Sequence, residues 1–219
     1  MTYVQHNYLG IASARTNLIC LLKRKNMKLE QTTKILSTLV LSIVIILSSD
    51  IFAQTLPPTP SSTYVIGKTG PGGGIIFQVS GDGKHGLEVA RKDQSAGIQW
   101  YNGTSKDTMA AKTGLGDGSF NTDRIITTLG KGNYAALLCA NYNGGGYGDW
   151  YLPSKDELNL IYKNLHLKGL GGFAGERYWS SSEDSSGNGF VWHQNFSHGN
   201  QFADDQFNLE SRVRAVRAF

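Results

Sequence analysis

Between Asp149 and Leu158 the chain reads Asp-Trp-Tyr-Leu-Pro-Ser-Lys-Asp-Glu-Leu, and this stretch sets a hard corner that the rest must accommodate. Trp150, Tyr151 and Leu152 form a short apolar run of strand type, and Pro153 pushes the residue before it toward extended geometry. Ser154 then stands at a helix N-cap with Glu157 three residues on. In that capping box the Ser oxygen accepts a first-turn N–H and the Glu reaches back to the cap. Asp156 and Glu157 also sit at the positive end of the helix dipole. Leu158, Ile161, Tyr162 and Leu165 recur at helical spacing and give one apolar face. Trp150 and that face are expected to anchor the core.

Upstream, Ile75–Val79 and Leu87–Ala90 read as two strands joined through the turn Gly81–Gly86, a hairpin. The glycine run Gly70-Pro71-Gly72-Gly73-Gly74 feeds a strand and lacks a following Gly-Lys-Ser/Thr. It is therefore read as a turn where backbone passes close to a neighbour, not as a phosphate loop. Residues 91–120 are rich in Gly, Asn, Ser and Asp and read as a long loop, with Trp100-Tyr101 as its apolar anchor. Asn121 or Thr122 is expected to cap a helix carrying Ile125, Ile126 and Leu129, broken at Gly130 and Gly132 and resuming over Tyr134–Ala140. A second helix follows Ser154 and stops at Gly169–Gly172. Beyond it, Tyr178–Glu183, Phe190–Phe196, Gln201–Phe207 and Ser211–Phe219 read as strands. Strands, then helices, then strands argue for an α+β fold with a twisted antiparallel sheet, two helices and a long loop region.

Not all 219 residues are expected in that domain. Ile35–Leu47 is apolar but for Ser37, Thr38 and Ser42. Lys28 and Lys34 precede it and Ala53 offers a small residue at a cleavage position, the pattern of a secretory signal peptide. The run is short for a membrane span, which takes about 20 apolar residues. Residues 1–53 are thus assigned as a leader, with translation expected to start at Met27. Residues 54–63 hold Pro57, Pro58 and Pro60 among Ser and Thr and read as an extended linker. The domain occupies 64–219. The leader carries six of the 21 basic and two of the 17 acidic residues, leaving 15 of each in the remainder. Such a balanced domain has no basic footprint for nucleic acid, and no membrane insertion is expected after cleavage. Cys20 belongs to the leader, so Cys139 is alone. It sits among Ala135, Ala136, Leu137 and Leu138 and reads as a buried, inert thiol.

Four ordered motifs carry a resemblance: Gly-Pro-Gly-Gly-Gly-Ile-Ile-Phe at 70–77, Asp-Trp-Tyr-Leu-Pro-Ser-Lys-Asp-Glu-Leu at 149–158, Tyr-Trp-Ser-Ser-Ser-Glu at 178–183 and Arg-Val-Arg-Ala-Val-Arg-Ala-Phe at 212–219. Together they resemble the C-terminal domain family of the Legionella collagen-like adhesin, over about residues 64–219. The resemblance implies a C-type-lectin-like domain related to the Fibrobacter major-domain group, export to the periplasm, cell surface or medium, and adhesion to sulfated or other glycans. This chain has no collagen-like Gly-X-Y repeat, and the Glu-Pro-Asn, Gln-Pro-Asp and Trp-Asn-Asp runs of calcium-dependent lectins are missing. No cofactor or metal is therefore expected. A distant relation to formylglycine-generating enzymes, which use paired thiols, does not suit a domain with Cys139 alone. A non-enzymatic binding domain is the expectation; an envelope structural or protein-interaction module without a sugar ligand is the alternative.

Sugar recognition needs an aromatic platform and planar polar groups for hydroxyls. Trp192, His193, Asn195, His198, Asn200 and Gln201 supply both on one predicted hairpin, and Trp100, Tyr101 and Asn102 supply them in the long loop. By alternation Trp192 shares a face with Phe190, Gln194 and Phe196, while His193 shares the other with Val191 and Asn195. Arg212, Arg214 and Arg217 form the densest basic cluster, suited to sulfate. Arg212 and Arg214 are placed on one face and Arg217 on the other, and pairing with Asp or Glu beneath the sheet is the competing role.

Overall fold

The structure, a computed structural model, describes residues 23, 25, 26, 29–31, 63–104, 106–186, 189–205 and 210–219. The chain divides into two compact units, Met1–Ser61 and Ser62–Phe219. In the first, the described residues are helical. The signal peptide, the start at Met27 and almost all of the 54–63 linker lie outside the described residues.

The second unit is α+β. Strands β1 (Ile75–Val79), β2 (Gly86–Val89) and β8 (Val216–Ala218) form one antiparallel sheet in the order β1-β2-β8. Strands β3 (Ser95–Ile98), β4 (Arg177–Glu183), β5 (Phe190–Asn195), β6 (Gln201–Asp205) and β7 (Ser211–Val213) form the other, in the order β3-β7-β4-β5-β6. Its β4–β7 pair is parallel, through Tyr178 and Arg212. The expectation of one antiparallel sheet is thus corrected to two sheets with one parallel contact. Helices α1 (Asp117–Leu129), α2 (Ala135–Ala140) and α3 (Lys155–Asn164) lie between β3 and β4 in sequence.

The corner at 149–158 forms as its residues dictate. Ser154 Oγ accepts from Glu157 N–H at 3.2 Å, and Glu157 Oε2 accepts from Ser154 N–H at 2.8 Å. Before it, the extended chain alternates between two cores. Trp150 and Leu152 enter the cluster of Trp100, Ile125, Tyr134, Cys139, Trp179 and Val213. Tyr151 enters the other, with Leu158, Ile161, Leu165, Tyr178, Phe196 and Val216. Each large apolar side chain so buried contributes about 1.5–3 kcal/mol of transfer free energy. Tyr151 also exchanges both backbone hydrogen bonds with Val216, at 2.8 and 2.9 Å, tying the corner to β8.

The glycine run at 70–74 does pass close to a neighbour, and that neighbour is a carboxylate. Glu88, fully buried on β2, accepts from Gly72 N–H at 2.7 Å and from Gly74 N–H at 2.9 Å. A Cβ on Gly70, Gly72 or Gly74 would lie 2.4, 2.6 or 2.9 Å from a Glu88 oxygen, so side chains are excluded. Arg217 on β8 supplies the countercharge: Nη1 donates to Glu88 at 2.8 Å, while Nε and Nη2 grip Asp149 at 2.7 and 2.9 Å. Its guanidinium carbon lies 3.9 Å from the Tyr147 ring centroid. Three of the sequence motifs therefore meet at one buried charge cluster.

Three further readings change. The first helix begins at Asp117, after Gly116, and not at Asn121 or Thr122. Those two residues are buried inside it and bond outward: Asn121 Nδ2 donates to Lys112 O, and Thr122 Oγ1 accepts from Leu152 N–H. Trp100 is not a loop platform but a fully buried core residue, its indole N–H donating to Ser180 O at 2.8 Å. The loop around it contains β3. Finally, Ser211–Phe219 is two short strands, in different sheets, with a break at Arg214–Ala215. The expected alternation along 212–217 is interrupted there.

Candidate functional site

Strand pairing decides which of the predicted polar residues can meet. Within β4 and β5, Arg177 pairs with Asn195 and Trp179 with His193. Directly opposed residues share a face, so Arg177, Trp179, His193 and Asn195 lie together. Strand β6 adds Phe202 opposite His193 and Asp204 opposite Val191. Trp192, opposite Ala203, is left on the other face with Gln194 and Gln201.

Beside Arg177, strands β3, β7, β4 and β5 border a polar cleft of about 340 Å³, reached by Arg212 although it pairs with Tyr178 and so starts from the opposite face. Its lining comprises Glu176, Arg177, Asn195, Glu210, Ser211 and Arg212, with Ala96 at one side. Ser211 is 2 % exposed and its hydroxyl has no hydrogen-bond partner; Nε of Arg212 is also unpartnered. Buried polar groups are normally satisfied by protein or water, so these two groups each have a bond still to make, to water or to a ligand. Asn195 offers an amide, although its carbonyl already accepts from Ser197 N–H and Oγ. Two arginines stand against two glutamates, so the cleft is balanced in charge.

Beyond Asn195 the face becomes aromatic. Phe202 is 43 % exposed, its ring centroid 5.8 Å from that of His193 and 6.2 Å from that of His198. His193 is buried edge-on against Trp179, and neither ring nitrogen makes a hydrogen bond; Asp204 Oδ2 is 3.5 Å from Nε2. Burial holds the imidazole below its ordinary pKa, against the opposing pull of Asp204. His198 and Asn200 are exposed in the β5–β6 turn, where His198 Nδ1 accepts from Asn200 N–H.

The other predicted residues are placed elsewhere. Lys155 Nζ lies 3.2 Å from the Trp192 ring centroid, so a cation from α3 already covers that ring. Gln201 donates to Lys155 O at 2.8 Å. Arg214 is 2 % exposed. It pairs with Asp93, donates to Ala90 O and Gly171 O, and stacks on Phe173. Arg212 shares Asp93, at 3.1 Å. Arg214 and Arg217 are therefore neutralised inside the fold, and the arginine cluster is not an open cationic patch. Of the eight predicted site residues, the cleft gathers Asn195 and Arg212. It adds Arg177 and Ser211, which sequence reasoning missed. Their signal was weak: strand pairing across about 35 intervening positions, with a parallel contact that no local pattern announces.

Comparison with known proteins gives one family. The model of the Lcl C-terminal domain matches residues 90–217, which include every lining residue of the cleft but not the Gly70–Gly74 run or the β1–β2 hairpin. No curated protein matches the chain.

Proposed function

The chain belongs to the Lcl C-terminal domain family, and from that premise we propose that it is an exported, non-enzymatic domain of adhesive type that binds glycans through the polar cleft on β3, β7, β4 and β5. The observation that carries this reading is the convergence of Arg177, Asn195, Ser211 and Arg212 there, with the buried Ser211 hydroxyl unpartnered. Planar amide and guanidinium groups suit vicinal hydroxyls, and the exposed Phe202 beside His198 offers an apolar ring face nearby. The balanced charge favours a hydroxyl-rich or weakly acidic sugar over a densely sulfated chain, because Arg214 and Arg217 are already paired internally. The non-enzymatic reading is supported by Cys139, buried and with its thiol pKa pushed up by burial, and by the serines of β4. Ser180 Oγ donates to Trp192 O and Ser182 Oγ to Lys112 O, so both are committed to the fold. The alternative, a protein-interaction module of the envelope, draws on β6, which ends the five-strand order and carries the exposed Phe202.

A glycan array probed with the full chain, with calcium and with chelator, at low and high salt, tests the proposal. Binding that survives both chelation and salt, and is lost in Arg177→Ala and Asn195→Ala, is expected. Failure to bind any glycan, or binding indifferent to both substitutions, would overturn it; capture of an envelope protein lost on Phe202→Ala would then favour the alternative.

A further inference from the structure

A second cleft, next to the polar one through the Asp93–Arg212 pair, is lined by Arg91, Lys92, Asp93, Gln94, Leu138, Asn141 and Tyr142 and has a volume of about 480 Å³. That volume is within the range of small-molecule sites, roughly 300–1,000 Å³. Its walls are the connection from β2 to β3 on one side and the end of α2 on the other.

The floor is apolar and held in place. Leu138 and Tyr142 are partly buried and pack on the Trp100–Trp150 core. The Tyr142 ring meets Trp150 edge-on at 5.1 Å, and a Cβ on Gly144 would come within 2.4–2.7 Å of it. The ring is thus fixed between an indole and a glycine that leaves it room. A preorganised aromatic floor costs little ordering when a ligand lands on it.

The rim is cationic, and the acid beside it is spent. Asp93 is engaged by Arg212 and Arg214. Gln94 is also committed, its Nε2 donating to Lys92 O and its Oε1 accepting from Ala215 N–H. Arg91 is braced by bonds to Gly73 O and Thr69 Oγ1 and meets no carboxylate among the described residues. Among the described residues, the Lys92 ammonium, the Asn141 amide and the Tyr142 hydroxyl meet no hydrogen-bond or ion-pair partner, and all three residues line the cleft. Two cations without carboxylates, one amide and one phenol therefore stand over an apolar bed.

We propose that this cleft is a binding site for a small amphipathic organic anion, a carboxylate or sulfonate on an aromatic or medium-chain aliphatic body. The apolar body lies against Leu138 and Tyr142, and the anion meets Lys92 and Arg91 at the rim, with Asn141 as a neutral donor. The proposal does not rest on the glycan reading: the two clefts share no lining residue, although Asp93 of this one pairs with Arg212 of the other.

The test uses the full chain with the fluorescent probe 8-anilinonaphthalene-1-sulfonate. A saturable enhancement with one probe per chain is expected, displaced by octanoate but not by octanol at the same concentration. Lys92→Glu reverses an exposed charge that has no partner among the described residues, and should weaken the probe by about tenfold, the scale of a rim ion pair turned repulsive. Leu138→Gln should weaken it further, with its urea midpoint measured to confirm folding. Arg177→Ala should leave probe binding unchanged while abolishing glycan binding. Probe affinity unchanged in Lys92→Glu, equal competition by octanol, non-saturable binding, or loss of the probe on Arg177→Ala would each overturn the proposal.

Discussion

Replacing Arg217 with Met tests how much of the fold rests on the buried charge cluster. Met keeps an unbranched apolar stem beneath Tyr147 and removes the guanidinium. Glu88 then keeps its two bonds from Gly72 and Gly74 N–H but loses, at zero exposure, the one countercharge it meets among the described residues. Breaking a buried pair from one side costs about 3–5 kcal/mol. The Asp149 side chain, 57 % exposed, returns to water and adds at most about 1 kcal/mol. With a urea m-value of about 2 kcal/mol/M, the unfolding midpoint should fall by about 2 M. Glu88→Gln alone should cost about 2–3 kcal/mol, because its amide NH₂ faces a glycine N–H, donor against donor. Combining the two removes both charges, so the double variant should lose less than the two losses added, with a coupling of about 2 kcal/mol. Equilibrium urea unfolding followed by tryptophan fluorescence measures all four proteins. A shift under about 0.5 M for Arg217→Met, or simple additivity in the double variant, would refute the reasoning.

Gly118→Ala in α1 should destabilise by about 2 kcal/mol or more in the same assay, although Ala is the better helix former by about 1 kcal/mol. The new Cβ would lie 2.4 Å from Glu157 Oε2 and 2.8 Å from both Leu152 O and Ser154 N. Because His193 is held below its ordinary pKa of 6.5, its neutral form favours folding; that contribution is intact above pH 6.5 and is lost as pH falls through the lower folded value. His193→Leu should accordingly flatten the decline of the urea midpoint as pH falls below about 6.5. Cys139, fully buried with its thiol pKa raised, should react with Ellman's reagent only once the protein is unfolded, which a stopped-flow comparison in buffer and in urea decides.

The local grammar of this chain was legible where it was self-contained. The Ser154–Glu157 capping box, the β1–β2 hairpin, the strand at Tyr178–Glu183 and the buried Cys139 all follow from residues within a few positions of each other. What escaped was set by distant partners. Helix α1 starts four residues before its best-looking caps, and its first turn carries Gly118, which packs where a Cβ would meet Glu157, Leu152 and Ser154. Asn121 and Thr122 mimic caps because their side chains bond backbone groups, yet the groups they bond belong to Lys112 and Leu152. Trp100 stood in a polar stretch, and only the β4 carbonyl that accepts its N–H shows why it turns inward. The arginines left two roles open, sulfate binding or pairing with acids beneath the sheet, and Arg214 and Arg217 take the second, with Asp93 and Glu88 more than a hundred residues upstream where nothing local names them. Of the candidate site, Asn195 and Arg212 were visible by residue type, and Arg177 and Ser211 joined them only through pairing.

The split of residues 211–218 between the two sheets has a temporal meaning. Strand β7 lies between β3 and β4, and β8 completes the sheet begun by β1 and β2. Neither sheet can close, and Glu88 cannot find its cation 129 positions away, until that segment has been synthesised. Non-local pairings of this kind also form late because loop closure precedes any reward. Both sheets therefore hang on one short segment, and a change within it loosens the two together.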